Sequence, residues 1–378
     1  MTTGEGGPGD TGGSGCEDGA AATSLICDPL RKIPKTIKET GFFPKAPDFA
    51  QHSARMRKFV PDPPLWSDGM EKERFLLLPV GKKIDNTDPK KWAFPVGTIL
   101  IKTFFDDTGP GGKPRPIETR LIRRVGAEGD LIEYDFYLYK WNPQSTDADL
   151  ILDDRNTPDE QSAEVMVTIN HAPLMVNNGQ AFAHTLPSRG MCKECHEGNG
   201  LEFQTFIGFD EIRLGTIKLA GSDKTQLQLF QEADIFVNKA KPGDPPPRSI
   251  PTTDALLAKA EHFILGNCVH CHNQKGMVFD MSPENFAKNT IGMKTNAQSV
   301  EPPPTWRRIL PGNPDESVVY RQAKRLGLPP ATGMNKLRPM PPYGVNDNAA
   351  DLQGLEDLRK WICALPGGPK VPLPACKP

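Results

Sequence analysis

The sequence predicts an α+β multidomain protein, in which a β-rich domain, sandwich-like or barrel-like, is followed by an all-α domain. The length of 378 residues favours two domains over one. The first half carries short β-favourable runs that end at Gly, Pro or Asp, as strands do. The second half carries two segments whose apolar residues recur at helical spacing.

Four segments organise the chain. Residues 1–30 are predicted to be a flexible linker or tether, because the start MTTGEGGPGDTGGSG is rich in Gly, Thr and Ser. This start has neither the basic residues nor the apolar core of a signal sequence. Residues 31–240 form the predicted β-rich domain, residues 241–252 a stiff proline-rich linker, and residues 253–378 the predicted helical domain. With 39 Pro and 35 Gly, long irregular connections are expected.

The β-rich domain is predicted from alternating apolar and polar residues. The strand runs are residues 74–79, 97–104, 118–123 and 132–141. The last run is the clearest, since Tyr134, Phe136 and Leu138 share one face. A short amphipathic helix is also predicted near residues 226–237.

Two helices define the predicted second domain. Asp254 is expected to cap a helix over residues 255–265, and a final helix is expected over residues 350–365. Phe263 and Trp361 are expected to pack where these helices cross. The long Pro- and Gly-rich stretch between them suits a loop that wraps a large flat cofactor.

Charge and hydropathy exclude two classes of partner. The formal net charge is -2, and no basic stripe with interleaved aromatic residues is present, so nucleic acid is not expected as a partner. No apolar run approaches the roughly 18–20 residues that a bilayer span needs. A transmembrane span is therefore not expected, although a lipid tether at the N-terminus remains an option.

Two stretches carry the chemistry, CKECH at residues 192–196 and CVHCH at residues 268–272. Both match C-x-x-C-H, the attachment signature of c-type haem. The cysteines Cys192, Cys195, Cys268 and Cys271 are predicted to form thioethers with haem vinyl groups. His196 and His272 are predicted to be the proximal iron ligands. Random placement of 8 Cys and 7 His would give about 0.003 such motifs per chain.

Other functions of paired cysteines remain as alternatives. A structural zinc site also uses C-x-x-C pairs, but zinc pairs usually lie about 15–20 residues apart and these lie about 70 apart. Zinc also gives no reason for a His directly after both pairs. A redox-active dithiol and plain disulfides are the remaining alternatives.

The second axial ligand of each iron is predicted from position in the sequence alone. Met340, held between prolines in RPMPP, is the candidate for the second haem, with Met334 and Met293 as fallbacks. For the first haem the candidates precede Cys192: His184, His171, Met175 and Met191. A five-coordinate iron is the alternative, and it matters because an open position can activate small molecules whereas two strong ligands favour electron transfer.

The other four cysteines are disulfide candidates. Neighbour pairing would join Cys16 to Cys27 and Cys363 to Cys376, where the second bond would hold the proline-rich tail to the last helix. Free buried thiols are the alternative. Four cysteines allow three pairings, so the sequence leaves the connectivity open.

Residues 253–365 resemble a class I cytochrome c domain, on the basis of the second motif, Met340 and the two flanking helices. The earlier part resembles a family of exported bacterial dihaem cytochromes of uncharacterised role, through PLWSDG at residues 64–69, FPVGT at residues 94–98 and YKWN at residues 139–142.

These resemblances imply two covalently attached haem c groups and electron transfer with redox protein partners. Covalent attachment in bacteria follows export, so they also imply a periplasmic or cell-surface location. The alternative is a peroxidase-like dihaem oxidoreductase with an open first haem site. A third reading makes the β-rich domain a docking or carbohydrate-binding module that uses Trp66, Trp92 and Trp141.

Overall fold

The computed structural model describes residues 24–46, 48–67, 70–106, 114–128, 131–158, 165–169, 182–196, 206–218, 221–239, 247–273, 279–295, 305–324, 340, 351–368 and 374–376. Residues 1–23 of the predicted tether and residues 241–246 of the predicted linker lie outside this part.

One antiparallel sheet of six strands forms the centre of the first half. The strands follow in chain order as β1 (Arg57–Lys58), β2 (Glu71–Leu77), β3 (Ile99–Asp106), β4 (Arg115–Glu128), β5 (Leu131–Trp141) and β6 (Ala148–Asp153). Each strand pairs with its neighbour in sequence, which makes the sheet a meander. Two further strands, β7 (Val165–Ile169) and β8 (Phe182–Leu186), pair with each other in a separate sheet.

Both faces of the meander are buried, which explains the nearly continuous apolar run in β3. Ile99 and Ile101 pack on one side in a core that includes Tyr139. Leu100 packs on the other side with Phe136. Three short helices follow β8: α1 (Arg189–His196), α2 (Glu211–Gly215) and α3 (Gln226–Glu232). Apolar residues of α2 and α3 join the second core.

The second half is built around two helices of 13 residues. Its helices are α4 (Ala255–Asn267), α5 (Phe286–Thr290), α6 (Val318–Ala323) and α7 (Leu352–Ala364). Helices α4 and α7 share one apolar core, which contains Phe263 and Trp361. The two helices approach closely at Gly354, since a β-carbon there would overlap the Phe263 ring.

The predicted fold class is wrong. The β-rich half has a single open six-stranded meander and a separate strand pair instead of a sandwich or barrel. The second half is not an all-α class I cytochrome c domain. Of the described helices only four have seven residues or more, and the described residues between α4 and α7 carry the short helices α5 and α6 and the isolated bridges Ile291–Ile309 and Arg307–Ser317. Proline removes the backbone donors that a continuous helix needs, so the helices of this proline-rich stretch stay short.

Individual elements agree better with the sequence. The run at residues 132–141 is β5, and the helices expected at residues 255–265 and 350–365 are α4 and α7. The expected crossing of Phe263 and Trp361 is confirmed by their shared core. The helix expected near residues 226–237 is shorter, because α3 ends at Glu232.

The tryptophans of the first half pack in its interior. Trp92 and Trp141 are buried, as expected of packing residues. Trp66 is partly buried against the cluster that contains Phe104. None of these three indole rings is among the exposed large hydrophobic residues of the described chain.

The described residues include disulfide-bonded cysteines in both halves of the chain. Cys363 at the end of α7 bonds to Cys376, with 5.5 Å between their α-carbons, as neighbour pairing predicts. Cys27 is also disulfide-bonded. Its expected partner, Cys16, lies outside the described residues.

Side-chain contacts join the two halves across the predicted linker. Asn267 Oδ1 accepts a hydrogen bond from Trp66 N at 3.1 Å. An Arg213 guanidinium nitrogen donates to Leu265 O at 2.6 Å. His262 Nε2 lies 2.8 Å from Asp62 Oδ1. The end of α4 is therefore held against the first half of the chain.

Membrane insertion by a helix has no support in the described residues. None of the helices there combines the length and the apolar character that a bilayer crossing requires.

Candidate cofactor site

The first motif forms most of α1. Cys192 and Cys195 are three residues apart and His196 follows, so the helical repeat brings their side chains to neighbouring positions. The Cys192 amide donates to Ser188 O at 3.1 Å. Cys192 packs against both apolar clusters on the α1 side of the sheet, and the His196 ring lies 5.8 Å from the Phe136 ring.

The second motif forms the turn that ends α4. Cys268 is the C-cap residue, and its amide donates to Ile264 O at 2.8 Å. The His272 amide then donates to Cys268 O at 2.9 Å, which continues the turn by one more residue. The His272 ring lies 5.1 Å from the ring of Phe279.

The fold brings the two motifs into contact. Sγ of Cys195, Sγ of Cys271 and a ring nitrogen of His270 all lie within 4.8 Å of one another. Cys271 Sγ also donates to Glu194 O at 3.8 Å. Residues from two motifs about 70 positions apart in sequence therefore share one site.

Burial and this contact set the protonation of the thiols. Burial raises the pKa of Cys192 and of Cys268 to about 12. The hydrogen bond from Cys271 lowers the pKa of Cys195 well below its usual value, and the same bond raises the pKa of Cys271. Burial lowers the pKa of His272, which favours the neutral imidazole that binds metals.

A cavity of about 110 Å³ lies beside the first motif. Cys192, Cys195 and His196 form part of its wall. The facing wall comes from the sheet and includes apolar side chains and three cations, Arg74, Lys102 and Arg120.

The three cations form a row across adjacent strands. Arg74 in β2 lies opposite Lys102 in β3, and Lys102 lies opposite Arg120 in β4. Arg120 is paired, since its Nε donates to Glu118 Oε2 at 2.9 Å. Among the described residues, neither Lys102 nor Arg74 has a carboxylate within ion-pair distance.

Glu118 is fully buried and joins Arg120 to His184. Its Oε1 lies 3.0 Å from His184 Nε2. Burial by itself would raise the pKa of Glu118, but the Arg120 charge and the hydrogen bond with His184 more than offset this and lower the pKa to about 2. The carboxylate is therefore ionised at neutral pH.

The structure places some of the predicted iron ligands. His184 is buried with Nε2 on Glu118, and it is not among the described residues that line the cavity. Met191 does line the cavity. Met340 is half-buried, and its amide donates to Gln322 O at 3.1 Å. The part each plays as a ligand stays a prediction.

Of the remaining predicted ligands, one is exposed and three lie outside the described residues. Met293, a fallback for Met340, is 45% exposed. His171, Met175 and Met334 lie outside the described residues.

Sequence reasoning missed the row of Arg74, Lys102 and Arg120, and it missed the position of His270 beside Cys195 and Cys271. Lys102 stands between Leu100 and Phe104 on the same face of an apolar strand, and that inward-facing charge was the available signal. His270 occupies a variable position of its motif, so the motif alone gives it no function.

The residues present fit a covalently attached haem group. Around the first motif, two thiols and an imidazole open onto a cavity whose wall is mainly apolar, which suits the face of a porphyrin ring. At the second motif, Nδ1 of His272 is buried and has no hydrogen-bond partner among the described residues. A buried imidazole nitrogen without a partner suits a residue that serves a bound metal centre.

No protein-family model, curated protein or solved structure matches this chain. Its resemblance to dihaem cytochromes therefore depends on its motifs alone.

Proposed function

We propose that this protein is a dihaem c-type cytochrome that relays electrons between redox protein partners in the periplasm or at the cell surface. One observation carries the proposal: the two C-x-x-C-H motifs meet, with Cys195 and Cys271 inside one 4.8 Å cluster. Groups attached at those two cysteines would be neighbours, which is the arrangement that a relay of two redox centres requires.

Each haem would be held by the same chemistry. Cys192 and Cys195 would hold the first haem, and Cys268 and Cys271 the second, each thiol adding across a vinyl double bond with its proton going to the other vinyl carbon and no net oxidation. When bound, the haem iron supplies a centre that accepts and returns one electron.

The two histidines orient the iron ligation. His196 follows the thiols on α1, and His272 follows them on the turn after α4, so these imidazoles would bind the two irons. Met340 is the proposed second ligand of the second iron, where a thioether ligand would raise the reduction potential. With both haems bound, the chain would accept one electron from a reduced partner and pass one to an oxidised partner.

Location follows from how the cofactor is attached. Thioether formation in bacteria occurs after export, so we propose a periplasmic or cell-surface protein. The Cys363–Cys376 disulfide supports this, because disulfides persist in oxidising compartments.

The test is to produce the chain with an export signal in a bacterial host that matures c-type cytochromes. A pyridine haemochrome assay and intact mass should give two covalent haems per chain. Replacing Cys192 and Cys195 by Ala should remove one haem, and replacing Cys268 and Cys271 by Ala should remove the other. An exported, folded chain without covalent haem would refute the proposal.

Carbon monoxide separates the relay from the peroxidase-like alternative. A relay with two six-coordinate irons should bind carbon monoxide slowly or not at all after reduction. Rapid binding to the haem at Cys192 and Cys195 would show an open iron beside the cavity and would favour an oxidoreductase that acts on a small substrate.

A second candidate is a metal site without haem, and the cluster itself favours it. Two thiols and one imidazole within 4.8 Å suit a zinc ion. The two C-x-x-C pairs lie far apart in the sequence, which argues against zinc, but the fold brings Cys195 and Cys271 together. This candidate uses three of the motif residues and leaves Cys192, Cys268, His196 and His272 without a function.

A further inference from the structure

The cations Arg74, Lys102 and Arg120, called the cation row here, face the cavity from the strands opposite the first motif. Like charges placed directly opposite each other on adjacent strands destabilise a sheet. Burial makes this worse, because a charge removed from water needs a partner. The position of the row beside a cavity indicates that an anion completes it.

The charges within the row are unevenly compensated. Glu118 neutralises Arg120 through its hydrogen bonds. Lys102 is half-buried, with Glu118 as an acidic neighbour outside ion-pair distance, and its Nζ lies 4.4 Å from the centroid of the Phe104 ring, which offsets only part of its charge. Arg74 is buried, with Glu71 as a more distant acidic neighbour. The row therefore has two cations, Lys102 and Arg74, that lack a carboxylate partner among the described residues.

The pKa values of Lys102 and Arg74 also indicate charges that lack an ion-pair partner among the described residues. Burial and the neighbouring Arg74 charge lower the pKa of Lys102 well below its usual value. Burial lowers the pKa of Arg74 to about 10. Both shifts express the free energy cost of holding these charges in the cavity wall without an anion.

The direction of the row matches a bound porphyrin. Arg120 interacts electrostatically with Cys192 and Cys195 and lines the same cavity as these thiols, so we take it as the end of the row beside the first motif. Lys102 and Arg74 follow on the next two strands, each about 4.8 Å further on. In a haem the vinyl groups and the two propionates occupy opposite edges of the ring. A ring joined to the thiols thus has its carboxylates on the side away from Arg120.

We propose that Lys102 and Arg74 bind the two propionate carboxylates of the first haem. The inference deepens the proposed function and depends on it. Two unpaired cations meet two carboxylates, so the cavity wall becomes neutral when the haem is attached. The cation row is then a positioning device, which fixes the rotation of the ring over α1 and balances its charge.

The test compares exported proteins whose haem carries carbon-13 in the propionate carboxyls. Infrared difference spectra between oxidised and reduced protein report the labelled carboxylate bands. In Lys102→Met these bands should shift, and Lys102→Arg should restore them. Redox titration should show one of the two midpoint potentials becoming more negative in Lys102→Met, because a nearby cation favours the reduced iron.

Lys58→Met is the matched control. Lys58 in β1 pairs with Glu73, has a side chain that is 54% exposed, and does not line the described cavity wall. This variant should leave both the labelled bands and both potentials unchanged. If Lys102→Met does not fold, Arg74→Gln at the end of the row carries the same measurements.

The outcomes separate the inference from the function. Two attached haems with labelled bands unmoved in Lys102→Met would overturn the propionate assignment and leave the cytochrome proposal standing. Absence of covalent haem would overturn both. If inorganic phosphate, added at constant ionic strength, shifts a potential in the wild type but not in Lys102→Met, and the labelled bands do not move, the row binds a free anion and the propionate assignment is wrong.

Discussion

Replacing Glu118 by Gln tests the most deeply buried ion pair of the site. The substitution keeps the shape of the side chain and removes its charge. Arg120 then loses its partner in the cavity wall, and the contact with His184 Nε2 at 3.0 Å loses its ionic part. A buried charge left without its partner is strongly destabilising.

The size of the effect follows from the pKa of Glu118, which falls from 4.5 to about 2 on folding. This fall in pKa corresponds to about 3 kcal/mol of stability. That value agrees with the 3–5 kcal/mol that loss of one partner of a buried pair typically costs. We therefore expect Glu118→Gln to lower the free energy of unfolding by about 3 kcal/mol at pH 7.

The pH dependence gives a second check. Because the folded pKa of Glu118 lies below the unfolded one, its contribution is complete above pH 4.5 and is lost as the pH falls toward 2. Urea unfolding, followed by circular dichroism at several pH values, should show wild type and Glu118→Gln differing at neutral pH and converging in acid. A difference that stays constant down to pH 3 would refute the assignment.

Glu73→Gln is the matched control. The hydrogen bond from His52 lowers the pKa of Glu73 to about 2, and a weaker contribution comes from the hydrogen bond with Lys58. Its side chain is 29% exposed and that of Lys58 is 54% exposed, so water screens the pair. We expect a loss of about 0–1 kcal/mol. Equal losses in the two variants would show that burial does not determine the strength of these pairs.

Three further changes test the packing of the second half. Cys363→Ala opens the disulfide to Cys376, whose 13-residue separation predicts a loss of about 3 kcal/mol, measured by thermal unfolding with and without reductant. Gly354→Ala should destabilise by about 1–2 kcal/mol in urea, because overlap with Phe263 outweighs the gain of about 1 kcal/mol in helix propensity; a net gain would contradict the close crossing. Asp254→Ala removes the cap on the Leu256 and Leu257 amides and should cost about 1 kcal/mol, with Asp254→Asn as the nearly neutral control.

The parts of the fold that the sequence predicts are those with a local cause. The alternation of Tyr134, Phe136 and Leu138 specifies β5, and the cap at Asp254 specifies the start of α4. Each signal depends on residues within one turn or one strand. The overall architecture depends on which elements pair, and alternation in a single strand does not distinguish an open meander from a sandwich.

The site shows the same division. The motifs themselves are local patterns, so Cys192 and Cys268 could be found from the sequence. The contact between Cys195 and Cys271 depends on how the end of α4 docks against the first half through Asn267 and Arg213, and no local pattern encodes that docking. The cation row likewise exists only through the register of β2, β3 and β4.

His270 and Cys192 distinguish haem from a bare metal ion at this contact. His270 belongs to the Cys195–Cys271 cluster but occupies a variable position of its haem motif, whereas Cys192 belongs to a haem motif but not to the cluster. If haem is the cofactor, His270→Ala should keep two covalent haems, and Cys192→Ser should leave the first haem with a single thioether and a red-shifted haemochrome band.

A zinc site predicts the reverse pattern. In protein made without haem attachment, His270→Ala should weaken zinc binding by more than about tenfold in a competition titration, and Cys192→Ser should leave the affinity unchanged. Tight, stoichiometric zinc in exported protein that lacks covalent haem would favour the metal site. Because each variant affects one cofactor and spares the other, the pair decides between them without any assumption about the partners.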